Sequence, residues 1–117
     1  MFQGLRTVIY HVKDLTAATA WYSQAAGKPP YFNEPYYVGF NIGGYELGLI
    51  PDGDGTTTYW GTLDIVAEHA RLIALGAKPK EEITDVGGGI RVASVMEPGG
   101  NVIGIIENPH FKIEHVG

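Results

Sequence analysis

Two side chains in the sequence, those of His11 and Glu46, offer acid-base chemistry on segments that alternate like β-strands. Imidazole titrates near neutrality, so His11 can donate a hydrogen bond or act as a weak base, unless it is a strand histidine satisfied by a neighbour. Glu46 can act as a general base if it is buried. The alternative for Glu46 is a glutamate in water beside a hairpin turn, which is the usual environment of this residue type.

Aromatic residues are concentrated in one part of the sequence. They are Tyr31, Phe32, Tyr36, Tyr37, Phe40 and Tyr45, followed by Tyr59 and Trp60. Strand alternation is expected to bury about half of these rings in the core. The others, such as Tyr59, either line an apolar site for a small molecule or lie in a subunit interface, since both environments select tyrosine and tryptophan.

The elements that must position these side chains are short strands and two helices. Asp14 and Asp64 are predicted N-caps of helices that extend to about residues 26 and 75. Glycine pairs and triplets, including Gly43-Gly44, predict hairpin turns between strands. Strands are predicted at residues 5–12, 36–42, 45–50, 56–63, 90–96 and 102–106, with a further strand around Ile83.

The chain nearly repeats itself with an offset of 50 residues. Such a period indicates that one structural unit is used twice. We therefore predict a single domain over residues 1–117 built from two β-α-β-β-β repeats, at about residues 5–51 and 56–109. The matching pairs are Thr7 with Thr57, Asp14 with Asp64, Pro29 with Pro79 and, after short insertions, residues 46–50 with 102–106.

Two motifs add a family resemblance to this repeat. The segment VKDLTAA at residues 12–18, with Trp21-Tyr22 after it, and the segment EPGGNVIG at residues 97–104 resemble the vicinal oxygen chelate superfamily. That superfamily includes glyoxalase I, extradiol dioxygenases and bleomycin-resistance proteins. The resemblance implies an α+β fold in which two tandem β-α-β-β-β units form a curved mixed sheet around a cleft, the glyoxalase-like fold.

The resemblance also implies four positions at which metal-dependent members hold a divalent ion. In this sequence they are Thr7, Gly48, Thr57 and Gly104. Threonine and glycine supply neither the imidazole nor the carboxylate that such an ion needs, and a shift of the alignment by one residue does not fill all four positions. We therefore expect no metal and no cofactor.

The same alternation predicts which residues wall the cleft. Gly48 and Gly104 are expected to leave an apolar floor that accepts a flat ring. The residues predicted to line the cleft are Thr7, Ile9, His11, Glu46, Gly48, Ile50, Thr57, Tyr59, Val102, Gly104 and Ile106.

The favoured function is a metal-free small-molecule-binding protein of the glyoxalase/bleomycin-resistance type, which holds a partly aromatic ligand. The alternative is an enzyme: a metal-dependent lyase, isomerase or dioxygenase of this superfamily, or a metal-free catalyst that uses His11 or Glu46. A protein-interaction partner without a ligand is a third possibility. The sequence leaves open whether any reaction is catalysed, and it identifies no catalytic residue.

Composition and charge exclude several other classes. The net charge is −5 and the eight basic residues are scattered, whereas nucleic-acid binding needs clustered lysine and arginine. Without cysteine the chain has no disulfide and no thiolate chemistry. No signal peptide and no membrane-spanning run of ~20 apolar residues is found, so we expect a cytoplasmic protein. The aromatic surplus, together with the resemblance, favours a homodimer.

Overall fold

The computed structural model describes residues 1–53 and 55–111, which form two compact units. The first unit is Thr7–Thr56, and the second unit combines Met1–Arg6 with Thr57–Phe111. Strand β1 (Gly4–His11) contributes its first three residues to the second unit and its remaining residues to the first.

The first unit contains helix α1 (Leu15–Ala26) and strands β2 (Phe32–Glu34), β3 (Tyr37–Ile42) and β4 (Tyr45–Ile50). Its strand order is β2-β3-β4-β1, in which β4 and β1 are parallel and the other neighbours are antiparallel. The β3–β4 turn is made by Gly43 and Gly44, whose φ angles of 62° and 91° lie in the left-handed region that glycine tolerates. This two-residue turn fixes the register of the hairpin.

Helix α1 covers one face of this sheet. Asp14 caps the helix by accepting a hydrogen bond from the Ala17 amide at 3.0 Å, and Gly27 ends it with a φ of 72°. The core beneath the helix consists of the fully buried Val38, Phe40 and Leu49. Because strand residues alternate, their neighbours point to the other face, which we call the helix-free face.

The second unit contains five further elements: strands β5 (Thr56–Gly61), β6 (Lys78–Gly87), β7 (Ile90–Met96) and β8 (Val102–Glu107), and helix α2 (Ile65–Ala74). The order of its strands is β5-β8-β7-β6, in which β5 and β8 are parallel and the other neighbours are antiparallel. Both units therefore have mixed sheets.

Helix α2 buries a second apolar cluster. Asp64 caps it through the Ala67 amide at 3.1 Å, as Asp14 caps α1. Residues from the helix and from two strands form this core, and they are Ile65, Leu72, Ala93, Val95 and Ile105. Ser94 and Gly104, a register pair between β7 and β8, lie on the helix-free face of this unit.

The α+β class and the β-α-β-β-β element order of each unit are confirmed. Strand β6 is ten residues long, whereas the sequence predicted only a short strand around Ile83. Its Pro79 and its many charged residues weaken the strand pattern, and shifts in its register with β7 interrupt the alternation. Neither α1 nor α2, the helices of the described residues, has the length and apolar character needed to cross a bilayer.

Candidate functional site

The carboxylate of Glu46 lies at the centre of a hydrogen-bonded cluster in the first unit. Thr7 Oγ1 donates to Glu46 Oε1 at 3.2 Å, and Tyr37 Oη donates to the same oxygen at 2.6 Å. Tyr31 Oη donates a short hydrogen bond to Glu46 Oε2. We call these four residues the Glu46 cluster.

Four different segments bring the Glu46 cluster together. Thr7 on β1 pairs directly with Glu46 on β4, so both side chains lie on the helix-free face. Tyr37 is the first residue of β3 and lies on the same face, because the hairpin pairs Gly39 with Gly48. Tyr31 precedes β2, and its amide is fixed by a 2.9 Å hydrogen bond to the carbonyl of Gly39.

Glycines on β3 and β4 make room for this arrangement. A Cβ atom on Gly39 would lie 2.8 Å from Glu46 Oε2 and 3.1 Å from Tyr31 Cε1. A Cβ atom on Gly48 would lie 2.9 Å from Tyr37 Cζ and 3.2 Å from Ile9 Cγ1. The sequence predicted an open floor over Gly48, but the phenol of Tyr37 occupies that space.

The environment of Glu46 differs from that of a glutamate in water, which is the usual environment of this residue type. Glu46 is only partly accessible to solvent. Among the described residues, no Lys, Arg or His forms an ion pair with its carboxylate within 4.0 Å. Burial, the hydrogen bond to Glu46 and the negative charge of Glu46 raise the pKa of Tyr31. Tyr31 therefore stays protonated and remains a donor.

His11 has the geometry of a structural strand histidine. Its Nδ1 lies 2.5 Å from the backbone oxygen of Asp52, and because a carbonyl oxygen can only accept, Nδ1 is the donor to this loop after β4. Its amide donates to the carbonyl of Gly55 at 3.2 Å, which ties β1 to the same loop. The contacts thus match the interpretation in which a neighbour satisfies the imidazole.

The six residues predicted in the first unit divide into two groups. Thr7, Ile9, Glu46 and Gly48 meet around Tyr37 on the helix-free face. His11 and Ile50 form a register pair at the other end of β1, next to the loop. The sequence analysis named Tyr31 and Tyr37 only as members of the aromatic group, not among the residues lining the cleft, and it did not single out Gly39. The Gly43-Gly44 turn sets the register of the hairpin, so it could have predicted that Tyr37 and Gly39 share a face with Glu46 and Gly48. Tyr31 lies outside any strand, and no feature of the sequence predicts its position.

In the second unit, the ring of Tyr59 lies over Gly104. The two residues are a register pair, and a Cβ atom on Gly104 would lie 2.5 Å from Tyr59 Cδ1. Burial, followed by the negative charge of Glu81, raises the pKa of Tyr59.

The Oγ of Ser94 is buried on this face without a hydrogen-bond partner among the described residues. Thr57, Val102 and Ile106 share the face by strand alternation, so the five residues predicted here lie on one side of the sheet.

The residues at the metal positions implied by the resemblance do not fit a divalent ion. Thr7 and Gly48 in the first unit, and Thr57 and Gly104 in the second, offer hydroxyl groups or no side-chain donor. The neighbouring carboxylate of Glu46 already accepts hydrogen bonds from three hydroxyls. Within residues 1–53 and 55–111, no three His, Cys, Asp or Glu side chains come together in a metal-binding group.

Comparisons with known proteins give matches among solved structures alone. No protein-family model matches the chain, and no curated protein matches it. Methylmalonyl-CoA epimerase of Streptomyces coelicolor, in complex with 2-nitronate-propionyl-CoA, is 16% identical with a TM-score of 0.76, over 93% of this chain and 99% of that one. The Mn(II)-bound glyoxalase of Novosphingobium aromaticivorans is 20% identical with a TM-score of 0.77, over 97% of this chain and 42% of that one.

A third similar structure is described only by its superfamily. It is a glyoxalase/bleomycin resistance protein/dioxygenase superfamily member from Vibrio splendidus 12B01, 17% identical with a TM-score of 0.69, over 89% of this chain and 99% of that one. At these identities the likeness concerns the fold, and activity depends on the site that each protein carries. The chain has the glyoxalase-like fold that it shares with these structures.

Proposed function

We propose that the protein binds a small, partly aromatic molecule without a metal ion, as a member of the glyoxalase/bleomycin-resistance type, and that the ligand lies at the Glu46 cluster. The observation that carries the proposal is the convergence of three hydroxyls, from Thr7, Tyr31 and Tyr37, on one carboxylate. The predicted cleft residues of the second unit, namely Thr57, Tyr59, Val102, Gly104 and Ile106, remain a prediction.

The cost of building the Glu46 cluster supports a role beyond stability. Ordering two tyrosine side chains loses rotamer freedom, and a partly buried carboxylate loses hydration. A glutamate pointing into water would incur neither cost. The cluster fixes the carboxylate before any ligand arrives, and such preorganisation raises affinity because less order is lost on binding.

Exposed rings beside the cluster provide the apolar part of the site. The ring of Phe32 lies 6.0 Å from that of Tyr37 and 6.2 Å from that of Tyr36, in edge-to-face contacts. Tyr31 and Tyr36 are 63% and 65% exposed, so their rings are available to a flat molecule. Binding sites typically combine such rings with a few fixed polar groups.

The alternative enzyme functions are less well supported. A metal-dependent lyase, isomerase or dioxygenase needs donors that the four implied positions lack. A metal-free catalyst with Glu46 as general base would take a proton on a carboxylate that already accepts three hydrogen bonds. His11 donates its Nδ1 proton to a loop carbonyl, which suits anchoring rather than catalysis.

A fragment titration followed by amide NMR, in the presence of EDTA, tests the proposed function. Small aromatic compounds are expected to bind saturably and to shift the amides of Thr7, Gly39, Glu46 and Gly48. Tyr37→Phe removes one hydroxyl from the cluster and is expected to weaken the best fragment. Absence of saturable binding, shifts confined to other residues, or binding that requires an added metal would each contradict the proposal.

The proposal includes the homodimer expected from the sequence. Several large apolar side chains of the described residues are well exposed in the single chain, among them Trp21 at 61% and Leu63 at 81%. Burial against a second copy would remove such surface from water. Sedimentation equilibrium is expected to give twice the chain mass at tens of micromolar, and a monomer at that concentration would contradict this part.

A further inference from the structure

The Glu46 cluster differs from an ion pair in the kind of donor that reaches the carboxylate. Its three hydrogen-bond donors are neutral hydroxyls, and no cation of the described residues reaches the carboxylate. By contrast, Glu107 on β8 receives Arg91 Nε at 3.0 Å and Arg91 Nη2 at 2.9 Å. Among the described residues, therefore, the Glu46 carboxylate has hydroxyl donors but no cationic partner.

The donors of the Glu46 cluster are already committed. Each hydroxyl carries one proton, and the protons of Thr7, Tyr31 and Tyr37 are all directed to Glu46. These three hydroxyls therefore have no proton left for a ligand, and only their oxygen lone pairs remain. A carbonyl or carboxylate of a ligand would find no donor among them, whereas an N–H group could donate to the cluster.

The carboxylate itself has room for one more donor. Two oxygens accept about four hydrogen bonds, of which Oε1 accepts two and Oε2 accepts one. The remaining position is on Oε2, the oxygen bonded to the exposed Tyr31. Phenol rings attract cations through their electron-rich faces, so the rings of the cluster add to the attraction of the carboxylate.

We infer that the site recognises the cationic group of its ligand, an alkylammonium attached to an aromatic ring, with Glu46 as the counter-ion. The inference rests on the proposed function, since it specifies the ligand of the same site. It follows from three features together: a carboxylate without a cationic partner among the described residues, three hydroxyls whose protons are already donated to it, and the adjacent exposed rings.

Three probes that share one ring and differ in charge test the inference: benzylammonium, benzyl alcohol and benzoate. Calorimetric or NMR titration of the full chain at low ionic strength is expected to give benzylammonium about tenfold higher affinity than benzyl alcohol, the size expected of a partly desolvated ion pair with a cation–π contact. Benzoate is expected not to bind. Added salt should weaken benzylammonium and leave benzyl alcohol unaffected, because salt screens the charge.

A matched pair of variants assigns the effect to one residue. Glu46→Gln keeps the size of the side chain and removes its charge, so it is expected to cost about tenfold in benzylammonium affinity and to reduce the affinity for benzyl alcohol much less. Glu82→Gln removes the same charge from an exposed residue of the second unit and should change neither. If Glu46→Gln fails to fold, the probe series and its salt dependence on the wild type still decide.

The possible outcomes separate the inference from the proposed function. Equal affinities for all three probes, or a preference for benzoate, would overturn the inference while the aromatic site survives. An equal loss in Glu46→Gln and Glu82→Gln would also overturn it, because the attraction would then come from net charge. If no probe binds, both the inference and the proposed function fail.

Discussion

Glu46 in the first unit and Glu68 in the second are both held by hydrogen bonds, but their partners are opposite in kind. Glu68 is 1% exposed and receives Arg71 Nε at 2.6 Å and Arg71 Nη2 at 3.2 Å. The amino group of Met1 lies 3.3 Å from the same carboxylate. Among the described residues, Glu46 receives only neutral hydroxyls.

The difference separates a carboxylate that stabilises the unit from one that is available to a ligand. The charge of Glu68 is neutralised by groups of its own unit, which makes its burial tolerable. The carboxylate of Glu46 is oriented by hydroxyls and has no cationic partner among the described residues, which suits a group whose counter-ion arrives from outside. The two residues are thus expected to respond differently to the same kinds of change.

The largest expected effect is on stability, from truncation of Glu68. Glu68→Ala leaves a cavity and removes the partner of Arg71, so it is expected to lower the free energy of unfolding by about 2–3 kcal/mol, below the range for fully buried pairs because Arg71 is partly exposed. Glu46→Gln is expected to cost less than about 1 kcal/mol, since water can reach its hydroxyl partners. Urea denaturation measures both, and equal losses would remove the distinction.

The equivalent glycines Gly48 and Gly104 sharpen the comparison between the two units. A Cβ atom on Gly104 would lie 2.7 Å from the backbone oxygen of Thr58, so the backbone must move, and Gly104→Ala is expected to cost about 2 kcal/mol. A Cβ atom on Gly48 meets the end of the Tyr37 side chain, which can swing away, so Gly48→Ala is expected to cost about 1 kcal/mol.

These glycine variants are also expected to differ in binding. Gly48→Ala displaces the hydroxyl of Tyr37 from Glu46 and should abolish binding of benzylammonium, whereas Gly104→Ala should retain it in the folded fraction. Denaturation and titration of both variants check the two halves of the prediction. A Gly48→Ala variant that binds like wild type would mean that Tyr37 does not organise the site.

The sequence predicted the fold more fully than the site for a physical reason. The repeat of Thr7, Asp14 and Gly48 in Thr57, Asp64 and Gly104 reports element order, because capping and alternation are local properties. The partners of Glu46 depend on register and on a loop. Tyr37 reaches Glu46 from a neighbouring strand, and Tyr31 reaches it from outside any strand.

The open space that the sequence predicted above Gly48 shows what strand alternation cannot predict. Alternation gives the face on which a glycine lies but not whether a neighbouring ring covers it. Tyr37 covers Gly48 and Tyr59 covers Gly104, so each unit fills its own space with a phenol. For the same reason composition placed Glu46 in water, although three hydroxyls surround its carboxylate.

Smaller changes in stability are expected from pH, at acidic pH for Glu68 and at alkaline pH for the Glu46 cluster. The hydrogen bonds from Arg71 hold the pKa of Glu68 below its usual value of 4.5, against the opposing effect of burial. A lowered folded-state pKa contributes stability above the unfolded value, and that contribution is lost as pH falls through the folded value. The stability difference between wild type and Glu68→Gln should therefore be constant near neutrality and shrink below pH 4.5.

The Glu46 cluster is expected to weaken at alkaline pH. Burial and Glu46 raise the pKa of Tyr31 above its usual value of 10.0. A raised folded-state pKa contributes stability below the unfolded value, and that contribution is lost as pH rises beyond it. The advantage of wild type over Tyr31→Phe should hold to pH 10.0 and decline above it, as measured by denaturation in alkaline buffers. A difference independent of pH would indicate that the Tyr31 hydroxyl does not bond to Glu46 in solution.

The smallest expected effect is that of metal removal, which should be nil in both regions. Within the described part of the chain, neither Glu46 nor Glu68 has neighbours that would complete the three-donor set of a catalytic divalent ion. Dialysis against EDTA is expected to leave the melting temperature and the affinity for benzylammonium unchanged, and added Zn²⁺, Mn²⁺ or Ni²⁺ should raise neither. A stoichiometric metal in the purified protein, or a melting temperature that rises saturably with one of these ions, would mean that a metal site exists and would revive the metal-dependent alternative. The Glu46→Gln variant then locates that site, because a metal held by Glu46 would lose affinity in this variant and not in Glu82→Gln.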